Sequence, residues 1–260
     1  MAYVFAVPQL LTGLMSGSSP LRHGGSVGLA ELLSKPYRQV RGLIRRRPVL
    51  GRRRYIPATM RVEDFFRALE DRGVRYAVLR WFEHLPHLDP GEDIDMLFED
   101  QDLPLVADLF VSDSGTACDV YSVNGSPGSS HHGMPYFPPD AARKLLARAV
   151  TVSGLYRAPC PEDHFLSLAY HALYQKGIRS GLPTATGSSS RAPDPEHDYA
   201  QVLSDLARAI GLTLSLNMES LDEYLGQQGW HPSPPMLRGL LERNPWLAAR
   251  VQSAPATETR

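Results

Sequence analysis

Apolar residues recur at helical spacing in RVEDFFRALEDRG (61–73), where Val62, Phe65, Phe66 and Leu69 share a face and Gly73 supplies a stop. VRYAVLRWF (74–82) then reads as a strand, followed by a loop with two prolines, EHLPHLDPG (83–91). In DIDMLF (93–98) the alternation places Asp93 and Asp95 on one face and Ile94 and Met96 on the other. DLPLVADLF (102–110) predicts a short helix and ACDVYSV (117–123) a third strand, before a long turn-rich loop, NGSPGSSHHGMPYFPP (124–139).

Beyond that loop the pattern is mainly helical. DAARKLLARAV (140–150) precedes a short strand pair around LYRAP. The strongest helical segment is PEDHFLSLAYHALYQKG (161–177), with Pro161 in its first turn, Glu162 and Asp163 at its positive end and Gly177 as terminator. Residues 180–195 are of low complexity and read as a mobile loop. Further helices are predicted over 196–211, 218–228 and 234–243, with fraying over about the last eight residues.

Composition adds a boundary. Residues 1–60 carry ten Lys and Arg against a single acid, Glu31, although the whole chain of 260 residues has a net charge of −1. Three regions follow: a basic, poorly ordered leader over 1–58, an α+β core over 59–158 and a helical region over 159–250. The leader resembles an organelle transit peptide in composition, and a bacterial N-terminal extension fits equally well. No apolar run approaches the ~18–20 residues of a membrane span, so no transmembrane segment is expected. Cys118 and Cys160 match no zinc or redox spacing and fit two free thiols in a reducing compartment.

The paired aspartates carry the chemistry. Two like charges on one face of an apolar strand repel, and burying either is costly without a cation. Asp119 lies on the next strand, and paired strands run ~4.8 Å apart, so a third carboxylate can join the first two. Such an oxygen-rich set suits Mg²⁺ or Mn²⁺, which also take ligands from substrate phosphates. Lys176 could neutralise phosphate charge. His164 and His171 fall on nearly the same face of the 161–177 helix. His131 and His132 are expected in an exposed loop, beside Tyr136 and Phe137, which could stack on a base or sugar. Trp230 and Trp246 are expected as core or interface residues of the C-terminal helices.

The stretch YAVLRWFEHLP, GEDIDMLF and CDVYSV, followed by PEDHFLSLAYHALYQKG, resembles the nucleotidyltransferase superfamily with its DNA polymerase beta-like fold. Within it, the chain resembles in particular the small bacterial members often encoded with surface-polysaccharide genes. The resemblance covers roughly residues 60–210. It implies an α+β fold with a mixed sheet flanked by helices, followed by a helical C-terminal region. It also implies that Asp93, Asp95 and Asp119 bind the metal and serve catalysis, with Asp119 as possible base.

Many superfamily members carry Gly-Ser at the end of the strand before the paired acids, where this chain has Leu79-Arg80-Trp81. The expected activity is metal-dependent transfer of a nucleotidyl or related phosphoryl group to a hydroxyl of a small molecule or glycan, in a bacterial cytoplasm. The donor would be a nucleoside triphosphate or nucleotide-sugar, with Arg80, Lys176 and His171 as its contacts. Two other readings share the pattern: a catalytically silent binding or scaffold module, and a toxin-like enzyme that modifies RNA. Nucleic acid is not the favoured partner.

Overall fold

The computed structural model describes residues 53–131, 133–187 and 197–253. The leader up to residue 52, His132, residues 188–196 (which include the second half of the low-complexity stretch) and the last seven residues lie outside them.

A four-stranded mixed sheet is ordered β1-β4-β3-β2: β1 (Arg54–Ile56), β2 (Tyr76–Val78), β3 (Asp93–Phe98) and β4 (Thr116–Ser122). The central pair β3 and β4 is parallel, whereas β1 on β4 and β2 on β3 are antiparallel. Order therefore starts before the predicted boundary at residue 58. Arg54 already pairs with Cys118, and Ile56 is fully buried.

Side-chain alternation sorts the sheet into two faces. Tyr76, Val78, Ile94, Met96, Phe98, Cys118 and Val120 pack on one side with α1 (Val62–Asp71). There Phe65, Phe66 and Leu69 are fully buried, each contributing about 1.5–3 kcal/mol of apolar burial. A 3₁₀ helix (Leu103–Leu109) and the hairpin β5 (Val150–Val152) with β6 (Tyr156–Ala158) close that side. The hairpin is tied on where the Tyr156 hydroxyl donates to the Phe82 carbonyl at 2.7 Å.

The opposite face, with Ala77, Leu79, Leu97, Tyr121 and Val123, belongs to a cluster that runs on into the helical region. Its helices are α2 (Pro139–Arg148), α3 (Pro161–Tyr170), α4 (Tyr199–Ala209), α5 (Met218–Gln227), α6 (Pro234–Leu241) and α7 (Pro245–Ser253). The molecule is thus α+β, a mixed sheet flanked by helices with C-terminal helices beyond it. Among the described residues no helix is long and apolar enough to cross a membrane.

Three elements depart from the sequence expectation. The strand predicted over 74–82 stops at Val78, because Trp81 takes a positive φ of 54° and turns the chain. The helix predicted over 161–177 is α-helical only to Tyr170; His171–Lys176 form a wider π turn and Gly177–Ser180 a 3₁₀ turn. The helix α7 was not predicted. Its short apolar spacing, Leu247 and Val251, follows Pro245 too closely to stand out as a period.

Candidate functional site

The carboxylates come from the central parallel pair. Asp95 and Asp119 are register partners on β3 and β4, and Asp93 lies two residues before Asp95 on the same face. All three line one cleft of about 270 Å³ at the end of the sheet, under the helical layer. Arg80, His171 and Lys176 line it as well. The six residues singled out in the sequence therefore share one cavity.

Asp95 is the deepest of the three acids. Its Oδ1 accepts from Arg80 Nη2 at 2.6 Å and from the Tyr121 hydroxyl at 3.1 Å, with only a few per cent of either partner of the ion pair exposed. Burial works against the Arg80 charge, but Asp95 and the phenols of Tyr136 and Tyr121 outweigh it and hold the guanidinium protonated. Burial raises the Asp95 carboxyl and Asp119 adds to the rise, while Arg80 and the Tyr121 hydroxyl pull the other way. Strand alternation alone would send Arg80 to the other face, since Leu79 already belongs to the cleft side. The turn at Trp81 breaks that alternation.

Asp93 and Asp119 are about one-third exposed, and Arg53 spans them. Its Nη2 contacts Asp93 Oδ2 and its Nε lies 3.3 Å from Asp119 Oδ1. This guanidinium comes from the residue just before β1, in the segment assigned by sequence to the leader. Its neighbour Arg54 is fixed in turn, with Nε donating to the Gly128 carbonyl at 2.8 Å.

The π turn builds the opposite wall and brings His171, Gln175 and Lys176 to the cleft, with Arg179 following. A π turn leaves carbonyls that an α-helix would bond, and Asn244 takes them: Nδ2 donates to Leu173 O at 2.8 Å and to Tyr174 O at 3.1 Å. Gly177 ends the turn at φ 59°. A Cβ there would meet Asn244 Oδ1 at 2.5 Å, so both conformation and space require glycine.

His171 is not a cation. Burial, with Arg80 and Lys176 nearby, drives its pKa far down, and its two ring nitrogens face the hydroxyls of Tyr136 (at Nδ1) and Tyr199 (at Nε2, 3.2 Å). A neutral imidazole has one donor and one acceptor, so one tyrosine accepts from it and the other donates to it. His164, expected on the same face, parts from it. It packs on Phe82 with ring centroids 4.8 Å apart, outside the cleft.

His131 lies in the loop between β4 and α2, as expected, but it is not exposed. Its ring packs edge-on against Tyr121 and Tyr136 inside the cleft, and burial, aided by Arg243, pushes its pKa down to about 4. Ser130 holds this loop to the sheet, its Oγ accepting from Val120 N at 2.9 Å. Tyr136 is buried too, its ring stacked on Tyr121 with centroids 4.0 Å apart and lying under Arg80 at 5.6 Å. Phe137 is core, against Tyr170 and Trp230. Trp81, His197 and Tyr199 complete the rim.

Sequence reasoning missed Arg53, Trp81, Tyr121, Gln175, Arg179, His197 and Tyr199. Only Tyr121 carried a signal, two residues after Asp119 and so on its face.

The acids offer hard oxygen donors of the kind that Mg²⁺ or Mn²⁺ prefers. Arg53 sits between two of them, and among the described residues no group of three or more His, Cys, Asp or Glu is set as metal ligands. The donor chemistry fits a divalent ion; admitting one requires Arg53 to yield.

No family model, curated protein or solved structure matches the chain.

Proposed function

We propose that the chain is a metal-dependent transferase of a nucleotidyl or related phosphoryl group onto a hydroxyl of a small molecule or glycan, with a nucleotidyltransferase-like core. The observation that supports this reading is the division of charge across one cleft. Asp93, Asp95 and Asp119 lie at the sheet, with Lys176 and Arg179 on the facing wall. A phosphate-bearing donor bridges such a cleft, its anionic end toward the cations.

Asp93, Asp95 and Asp119 would hold Mg²⁺ or Mn²⁺, which would supply charge neutralisation to the phosphate oxygens. Asp119, partly exposed within the cleft, is the base for the acceptor hydroxyl. Lys176 and Arg179 hold phosphate oxygens. Arg80 is committed to Asp95, so it fixes that carboxylate rather than gripping the donor. Neutral His171 acts through Tyr136 and Tyr199, setting the wall instead of adding charge.

A second reading has its own observation. Arg53 and Arg80 already neutralise much of the acidic cluster, which suits a silent binding module that needs no metal. Melting curves separate the two. With Mn²⁺ and a panel of nucleoside triphosphates and nucleotide-sugars, the wild type should gain several degrees that depend on both components. Asp93→Asn should lose that gain and any turnover while its own melting temperature stays nearly unchanged, since an exposed ion pair contributes about 0–1 kcal/mol. A wild type indifferent to metal with every donor would leave the silent module.

A further inference from the structure

Trp81 is held in an unusual backbone state. Among the described residues only Trp81 and Ser153 combine a side chain with positive φ, and for a bulky residue that state is an outlier which persists only where its surroundings impose it. Here they do. Leu79 N donates to Asp95 O at 2.9 Å and Arg80 is locked onto the Asp95 side chain, so the chain leaves the sheet at a fixed point. The result is an indole at the rim of the cleft.

That indole does not pack at random. The His197 imidazole lies over it with centroids 4.2 Å apart and planes within 5°, while Tyr199 meets it edge-on at 5.4 Å and 70°. Floor and side wall together make a corner shaped for a flat ring. His197 precedes Asp198, the N-cap of α4, whose carboxylate accepts from Gln201 N. Rotating His197 away therefore breaks no helical hydrogen bond. The cations Lys176 and Arg179 line the same cleft.

We infer that Trp81 is the stacking floor for a nucleobase, and that His197 covers its face until the base replaces it. This rests on the reading of the cleft as a site for a phosphate-bearing donor, and it narrows that donor to a nucleotide. A sugar phosphate or a phosphorylated polyol has no planar ring to exchange with an imidazole lying 5° from the indole plane. Stacking on an aromatic face tolerates every base, so the platform selects nucleotides as a class.

The test is a binding titration on the full chain with Mg²⁺, comparing ATP, GTP, CTP and UTP with inorganic tripolyphosphate. Trp81 is the one of three tryptophans that lines the cleft, so its fluorescence reports occupation of the face. At least one nucleotide should bind about tenfold more tightly than tripolyphosphate, the scale of one base stacked on an aromatic ring. Trp81→Leu should erase that advantage and leave tripolyphosphate affinity within about twofold. His197→Ala, which spares the turn, should tighten nucleotide binding and leave tripolyphosphate unchanged.

Equal affinity for tripolyphosphate and all four nucleotides would overturn the platform while leaving the phosphate site standing. An advantage that survives Trp81→Leu, or no tightening in His197→Ala, would overturn it too. No binding of either class would remove the phosphate-donor reading and the platform together.

Discussion

Asp95 and Asp119 face each other across the parallel pair at the centre of the sheet, and the Tyr121 hydroxyl lies 3.1 Å from one and 3.5 Å from the other. A single phenolic proton is thus shared between two acids that would otherwise repel. The remaining compensation comes from two arginines of opposite character. Arg80 is buried and local to the sheet, whereas Arg53 is nearly half exposed and arrives from the residue just before the edge strand β1.

Arg53 stands where a divalent ion would compete with it. Arg53→Gln should therefore tighten Mn²⁺ binding by roughly three- to tenfold in calorimetric titration, because the ion no longer displaces a bound cation. Stability should fall by no more than about 1 kcal/mol, since the pair is exposed. Unchanged Mn²⁺ affinity would place Arg53 outside the ion's path.

The Arg80–Asp95 pair behaves as a buried one. Arg80→Met leaves a buried carboxylate facing Asp119, and removing one partner of such a pair typically costs about 3–5 kcal/mol. Urea denaturation should show that loss, and the double variant Arg80→Met with Asp95→Asn should recover part of it. Strict additivity of the two single changes would show that the pair is not coupled.

Acid should weaken the fold through its buried imidazoles. Burial drives the His164 pKa from 6.5 down to about 4, so the folded state refuses a proton that the unfolded chain accepts. Its contribution is complete above pH 6.5 and is lost as pH falls toward 4, by on the order of 3 kcal/mol at the acid end. His164→Leu should flatten that part of the profile. A stability difference between variant and wild type that stays constant from pH 7 to pH 4.5 would show that His164 does not titrate in this way.

The sequence made the acids and the two-faced sheet legible because both rest on a period of two. Asp93 and Asp95 fall on the cleft side, while Ile94 and Met96 fall in the cluster with α1. Periodicity gave no notice of Arg53, which stands just ahead of a three-residue strand too short to show alternation against a run of arginines. Nor could it separate His164 from His171. A continuous helical period assumes a constant turn, and the π turn resets the phase between them. Trp81 and His197 are 116 positions apart in the chain, and no local pattern links them.

The side chain of Asn244 gives the cleft an unexpected dependence. The wall that presents His171, Gln175 and Lys176 keeps its wide turn because an amide some seventy residues downstream answers for two of its carbonyls. The same side chain accepts from Leu247 N and so opens α7. One residue is therefore both the start of the last described helix and the keystone of the cationic wall. Helix α7 therefore works as a clasp: whatever loosens it from its seat also loosens the wide turn that carries His171, Gln175 and Lys176.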